Sequence, residues 1–136
     1  MTAQPGKPLP SPSAVSQPFW DGLAVGELRV QKCDACGRYV FYPRPFCPHC
    51  LSDSLTWTPL SGRGRVYTYT IVRRAMNPAF TADVPYVFAI VELEEGPRLP
   101  TNVINCPPDA VRVEMPVKAV YDKVTAGIAL LKFEPA

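Results

Sequence analysis

The sequence predicts a mainly β chain in three parts: a short N-terminal helix, a small cysteine-stapled ribbon and a five-stranded barrel. Three observations carry this expectation. Proline takes 17 of 136 positions, and an interior proline removes a helix hydrogen bond and clashes with the preceding turn, so long helices do not survive at that density. Four of the five cysteines fall in the pattern C-x2-C-x10-C-x2-C, at positions 33, 36, 47 and 50. Beyond residue 61, short runs rich in Val, Ile, Tyr and Phe alternate with turn signals built from Pro, Gly and Asn.

Composition sets the outer bounds. A chain of 136 residues is one domain, or one small domain with an appendage. Hydrophobic residues at 47% and charged residues at 19% allow a packed core and exclude wholesale disorder. No run of 18 apolar residues exists, so no membrane-spanning helix is expected. Residues 1–17 carry one lysine and no apolar stretch of the secretory kind, so a cytoplasmic location is expected. A net charge of +2 is too small to announce a nucleic-acid-binding protein by bulk electrostatics.

Residues 1–17 contain four prolines with Ser, Gln and Gly, and read as a flexible arm. Residues 18–27 read as one short helix: Pro18 suits a first helical position, and Phe19, Trp20 and Leu23 give an amphipathic spacing that ends near Gly26. Two large aromatics on so short a helix need a surface to bury against, in this chain or in another.

Residues 28–60 hold the cysteines. An odd count without a signal peptide argues against a disulfide framework. Cys33-Asp34-Ala35-Cys36-Gly37 and Cys47-Pro48-His49-Cys50-Leu51 each read as a tight turn that brings two thiolates to one side with backbone amides aimed at the sulfurs. Two such turns supply the tetrahedral sulfur set that Zn2+ prefers, so one structural zinc is expected on Cys33, Cys36, Cys47 and Cys50. Flanked by strands at 28–32 and 37–42, this is a rubredoxin-like zinc ribbon, which at about 30 residues needs its metal staple to be stable. A four-sulfur site leaves zinc no open position, so it stabilises a fold and does not activate water. His49 is an alternative ligand in principle, although with four cysteines in register it reads as an exposed side chain. Cys106 stands alone and reads as a small buried residue.

Residues 61–136 read as five strands at 65–74, 86–93, 99–104, 117–122 and 128–133, with a helical turn within 108–115. Five short strands with a break after the third fit a Greek-key barrel of the oligonucleotide/oligosaccharide-binding (OB) type. An SH3-like barrel is the alternative, since strand count barely separates the two. In the second strand Val87, Ala89, Val91 and Leu93 share one face, while Tyr86, Phe88, Ile90 and Glu92 share the other. One face lines the barrel; the other must be covered by this chain or by a partner.

Between Asp53 and Asp83 the only charged residues are Arg63, Arg65, Arg73 and Arg74, with Tyr67, Tyr69 and Phe80 among them. This group suits phosphate and base contacts, or equally a solvated strand face. No nucleophile-base pair is evident, since the single histidine sits in a cysteine turn.

The ordered signals resemble a known family. They are Phe19-Trp20-Asp21-Gly22-Leu23, Gly26-Glu27-Leu28, Gln31-Lys32-Cys33-Asp34-Ala35-Cys36-Gly37, Tyr42-Pro43-Arg44-Pro45-Phe46-Cys47-Pro48-His49-Cys50, Trp57, Ser61-Gly62-Arg63-Gly64-Arg65-Val66-Tyr67, Pro85-Tyr86 and Val91-Glu92-Leu93. Taken together they are similar to the zinc-ribbon/OB-fold proteins of domain-of-unknown-function family 35, over residues 18–135. The resemblance implies a noncatalytic accessory subunit of a thiolase-superfamily complex acting on acyl-CoA, such as an acyltransferase, condensing enzyme or aldolase. It implies that the chain bridges thiolase-like subunits in a hetero-oligomer, helps hold coenzyme A, and leaves the catalytic cysteine to the partner.

On that footing Arg63, Arg65, Arg73 and Arg74 are candidates for the phosphates of coenzyme A, with Asn77, Phe80 and Tyr86 beside the pantetheine arm. Phe19, Trp20, Tyr42, Phe46, Phe88 and Ile90 are candidates for the partner interface. A nucleic-acid-binding module is the competing expectation, because ribbons and OB barrels both serve that role. It is weakened by nine basic against eight acidic residues in 61–136. Independent hydrolysis or transfer of acyl-CoA is a third expectation, weakened by the missing catalytic constellation.

Overall fold

The computed structural model describes residues 7–136. Helix α1 (Gln17–Ala24) carries Pro18 in its first turn, where a missing N–H costs no hydrogen bond. It starts a residue earlier and stops sooner than expected. Gly26, at φ +77°, turns the chain left-handed, and the Gly26 and Glu27 amides donate to the carbonyls of Leu23 and Gly22 at 3.1 and 2.8 Å. Gly22 permits the return: a Cβ there would meet the Glu27 carbonyl at 2.7 Å.

Strands β1 (Leu28–Cys33), β2 (Tyr39–Val40) and β3 (Leu55–Leu60) form an antiparallel sheet in the order β2-β1-β3. The strand expected over 37–42 shrinks to two residues, and Pro43 and Pro45 just beyond it have no N–H to extend a ladder. The register of β1 on β3 sets Leu28 opposite Leu60 and Cys33 opposite Leu55. Pro59 lies in β3, at the sheet edge, where a missing donor is tolerated.

Five strands close the barrel in the order β4-β5-β6-β8-β7: β4 (Arg63–Val72), β5 (Tyr86–Leu93), β6 (Arg98–Val103), β7 (Pro116–Lys123) and β8 (Ala129–Pro135). All neighbours are antiparallel except β6 and β8, which meet in parallel at Val103 and Phe133. That Greek-key closure selects the OB type over the SH3-like alternative. Strand positions match expectation, with ends displaced by a residue or two. A short 3-10 turn, Pro108–Ala110, falls inside the stretch expected to be helical.

Val87, Ala89, Val91 and Leu93 of β5 are all buried and line the barrel. The opposite face is covered only partly by this chain: Tyr86 and Ile90 are half-buried, and Phe88 is 43% exposed. The barrel core does not stop at the barrel. Phe19 and Leu23 of α1, and Leu28 and Val30 of β1, belong to the same buried cluster as Val66, Leu99 and Phe133. The helix therefore packs into the barrel, touching β7 and β8.

Of the expected flexible arm, residues 1–6 lie outside the described residues. The rest has defined contacts. Ser13 and Ser16 exchange backbone-to-hydroxyl hydrogen bonds at 3.0 and 3.2 Å, Ser16 is buried, and Lys7 pairs with Asp83 at 2.7 Å.

Candidate functional site

The two cysteine turns are built alike. The Gly37 amide donates to the Cys33 carbonyl and the Leu51 amide to the Cys47 carbonyl, each at 2.8 Å. Both closing residues are left-handed, Gly37 at φ +77° and Leu51 at φ +66°. Glycine adopts that conformation freely, whereas leucine is held there by the surrounding turn. β1 delivers Cys33 at its end, and the Asp34 amide ties the turn to Ser54 ahead of β3.

The four sulfurs all lie within 4.8 Å of one another. Cys33 Sγ is 3.5 Å from Cys50 Sγ, and Cys36 Sγ is 3.7 Å from Cys47 Sγ. A tetrahedron with Zn–S bonds of about 2.3 Å has sulfur–sulfur edges of about 3.8 Å, so the residues fit the ion. The Cys36 amide points at Cys33 Sγ (3.5 Å) and the His49 amide at Cys47 Sγ (3.4 Å), as thiolate ligands require. The Cys36 amide is the main reason that the Cys33 thiol is drawn down to about 7. At Cys50 the Ser52 amide also favours the thiolate, but contact with Cys33, desolvation and the other two sulfurs outweigh it and push the thiol up to about 12. Four crowded sulfurs resist full ionisation on their own, and a divalent cation would relieve that crowding.

His49 is turned away from the sulfurs, with Nδ1 3.2 Å from the Arg38 guanidinium. Cys106 is half-buried against the core. Among the described residues the four cysteines are the only His/Cys/Asp/Glu cluster placed to hold a metal.

The arginines expected to act together are separated. Arg63 opens β4, and Arg73 follows its end, so nine strand residues lie between them, about 30 Å at roughly 3.3 Å per residue. Arg65 is committed elsewhere: its guanidinium donates to Glu92 and Glu114, each at 2.6 Å. Arg65 is the main cause holding the Glu92 carboxyl below its ordinary range. Arg98 bonds the same carboxylate at 3.0 Å and stacks 3.9 Å over the Tyr67 ring. Arg63 faces Lys118 across the sheet. Only Arg73 and Arg74 stay near the other coenzyme A candidates, and both are exposed. Asn77 is occupied as a helix cap, its side-chain oxygen accepting from the Ala79 amide at 2.9 Å ahead of the 3-10 turn Pro78–Asp83, which carries Phe80. Tyr86 begins β5 just beyond.

The interface candidates also divide. Phe19 is 5% exposed and part of the core, which removes it as a surface anchor. Its ring meets Trp20 at 5.1 Å and Phe41 at 5.7 Å, and Phe41 meets Tyr42 at 5.9 Å, so an aromatic row runs from core to surface. Trp20 and Ile90 are half-buried, while Tyr42, Phe46 and Phe88 are exposed. A groove of about 400 Å³ joins Trp20, Phe41 and Tyr42 on one side to Phe88 and Leu131 on the other. Sequence reasoning missed Phe41 and Leu131 as groove walls, and also Leu51 and Met76, which are 78% and 95% exposed. The alternation of Phe41 with Val40 could have marked Phe41; nothing local marks Met76.

Comparison with known proteins adds a frame. The model of the ChsH2 rubredoxin-like zinc ribbon domain matches residues 20–56, and that of the ChsH2 C-terminal OB-fold domain matches residues 57–122. A probable enoyl-CoA hydratase alpha subunit of Thermomonospora curvata is 37% identical over 119 residues, 87% of this chain, but the chain spans only 37% of that protein's length. A DUF35 domain-containing scaffold protein of Methanothermobacter thermautotrophicus is 37% identical over 71% of this chain and 73% of its own. The benzoylsuccinyl-CoA thiolase subunit BbsA of Geobacter metallireducens is 33% identical over 53% of this chain and 47% of its own. A solved structure described as Ltp2-ChsH2(DUF35) aldolase has a TM-score of 0.83 at 33% identity, covering 93% of this chain and 98% of that one.

Proposed function

The chain belongs to the ChsH2-type family of zinc-ribbon/OB-fold (DUF35) proteins, and on that premise we propose that it is a noncatalytic accessory subunit of a thiolase-superfamily complex that processes acyl-CoA. The observation that carries this reading is structural likeness: the chain superposes on a chain of the structure described as Ltp2-ChsH2(DUF35) aldolase with a TM-score of 0.83 at 33% identity, over 98% of that chain. The BbsA relative, itself a thiolase subunit, supports the class of partner. Hydratase relatives are far longer than this chain, so their activity belongs to a protein of which it resembles only a part.

The chemistry of the site points the same way. Four thiolate ligands would close the metal's coordination and make it a structural tie. The single histidine, His49, holds its Nδ1 3.2 Å from the Arg38 guanidinium, and no hydrogen bond joins its ring to a thiol or hydroxyl nucleophile among the described residues. A thiolase-like partner supplies the reactive cysteine, and this chain positions or walls its active site, where small displacements cost rate. We place the protein in the cytoplasm, where thiols stay reduced and available to metal. No helix among the described residues is long and apolar enough to cross a membrane.

We assign the partner contact to Tyr42 and Phe88, which line the groove, and to the exposed Phe46. Phe46→Ala should weaken the complex by about 2 kcal/mol, the usual loss at an aromatic anchor, while the bound metal stays at one equivalent. Titration calorimetry with the purified partner checks this, and unchanged affinity contradicts it. Arg73 and Arg74, exposed and without an ion-pair partner among the described residues, are assigned to coenzyme A phosphate. Arg73→Ala should raise the KM of the assembled complex for acyl-CoA and leave assembly intact. The pure chain alone should turn over no acyl-CoA; robust turnover abolished by a point substitution in this chain would make it an enzyme instead.

A further inference from the structure

A cavity of about 720 Å³ lies on the outside of the barrel, between its strands and the segment of residues 7–9. That volume is in the range of small-molecule sites. Its walls are largely apolar: Leu9, Phe80, Tyr86, Phe88, Ile104 and Leu130. Five charged side chains border it. Asp83 pairs with Lys7 at 2.7 Å, and Asp122 pairs with Lys132 at 2.6 Å. Lys123, on the same border, is exposed and has no ion-pair partner among the described residues. The border therefore holds one unmatched positive charge.

One wall is loosely held. Residues 7–9 and the 3-10 turn Pro78–Asp83 contain no buried residue. Lys7 links them, through its pair with Asp83 and its position 5.5 Å over the Phe80 ring. A partly exposed pair of this kind adds little net stability. The opposite wall, on β5 and β8, is rigid because the intervening residues Val87, Ala89 and Ala129 are buried in the barrel.

We propose that this cavity is a binding site for an elongated apolar molecule carrying one anionic group. The apolar body lies against Ile104 and Leu130, the anion pairs with Lys123, and the Lys7–Asp83 pair is the latch that lets the ligand in. The inference does not depend on the identity of the partner enzyme.

The test uses the full chain and 1-anilinonaphthalene-8-sulfonate, an apolar aromatic with one anionic sulfonate. Its fluorescence should titrate saturably to one equivalent. Decanoate should displace it, and decanol, of equal length but uncharged, should need at least about tenfold more. Lys123→Gln should weaken decanoate about tenfold, the loss of one contact to a charged group, and leave decanol unchanged. Asp83→Asn should speed dye association. Leu130→Trp, or Ile104→Trp should the first fail to fold, fills the cavity and should abolish binding in a protein that melts cooperatively. Absent saturation, equal competition by decanoate and decanol, or full binding by a folded tryptophan variant each overturns the site. An unchanged association rate in Asp83→Asn overturns the latch.

Discussion

Replacing Cys33 with serine, or removing the metal with a chelator, is expected to unfold residues 34–54 and abolish partner binding while the barrel keeps its strands. The ribbon has almost no core of its own. Its buried cluster is Cys33, Val40 and Cys47, with Leu55 packed alongside, and two of those three are ligands. Without the ion, nothing replaces the ordering energy, which in small zinc-dependent peptides is about 10–16 kcal/mol of apparent binding. Leu28 and Val30 sit in the barrel's cluster, so the damage should stop at the end of β1.

The pH dependence has a fixed sign. Metal binds the thiolate form and releases protons. A Cys50 thiol at about 12 without metal and a Cys33 thiol at about 7 mean that protons compete with metal as pH falls. Metal affinity should therefore rise with pH, and acidification should release the ion. Elemental analysis should give about one equivalent of zinc, and amide spectra should lose the ribbon signals alone on chelation. A metal-free chain with an intact ribbon would contradict this account.

Leu23→Ala should be the costliest conservative change outside the ribbon, at about 2–5 kcal/mol. Leu23 is 0% exposed and lies with Phe19, Leu28 and Phe133 in one cluster, so truncation opens a void where helix, ribbon and barrel meet. Val25, two residues on at the helix C-cap and 71% exposed, provides the control, and Val25→Ala should stay within about 0.5 kcal/mol. Urea unfolding with unchanged slope would measure both. A cost below about 1 kcal/mol for Leu23→Ala would mean that the helix is an ornament and not part of the barrel's closure.

What could be read from the amino acids depended on how local the cause was. The four ligands were legible because each C-x2-C turn carries its own geometry, amide donors included. β5 was legible because its alternation runs unbroken from Tyr86 to Leu93, and the face carrying Val87 is the one that the barrel buries. The arginines do not gather into one cluster, for a physical reason. Close positions in sequence imply a cluster only on a helix or in a turn; on β4 they spread along the strand. Arg65 was beyond local reading, since its partners Glu92 and Glu114 lie 27 and 49 residues away. Phe19 was ambiguous by construction: an amphipathic turn shows that a face is buried but not what buries it. Here the barrel does, and the exposed apolar surface passes to Tyr42, Phe46 and Phe88.

The accessory-subunit reading is tested most directly by coexpressing the chain with a thiolase-like enzyme encoded beside it, and following the pair by size-exclusion chromatography with light scattering and an acyl-CoA assay. A single hetero-oligomeric species whose activity falls when this chain is omitted is the predicted result. A thiolase-like enzyme that elutes alone and retains full activity without this chain would contradict it.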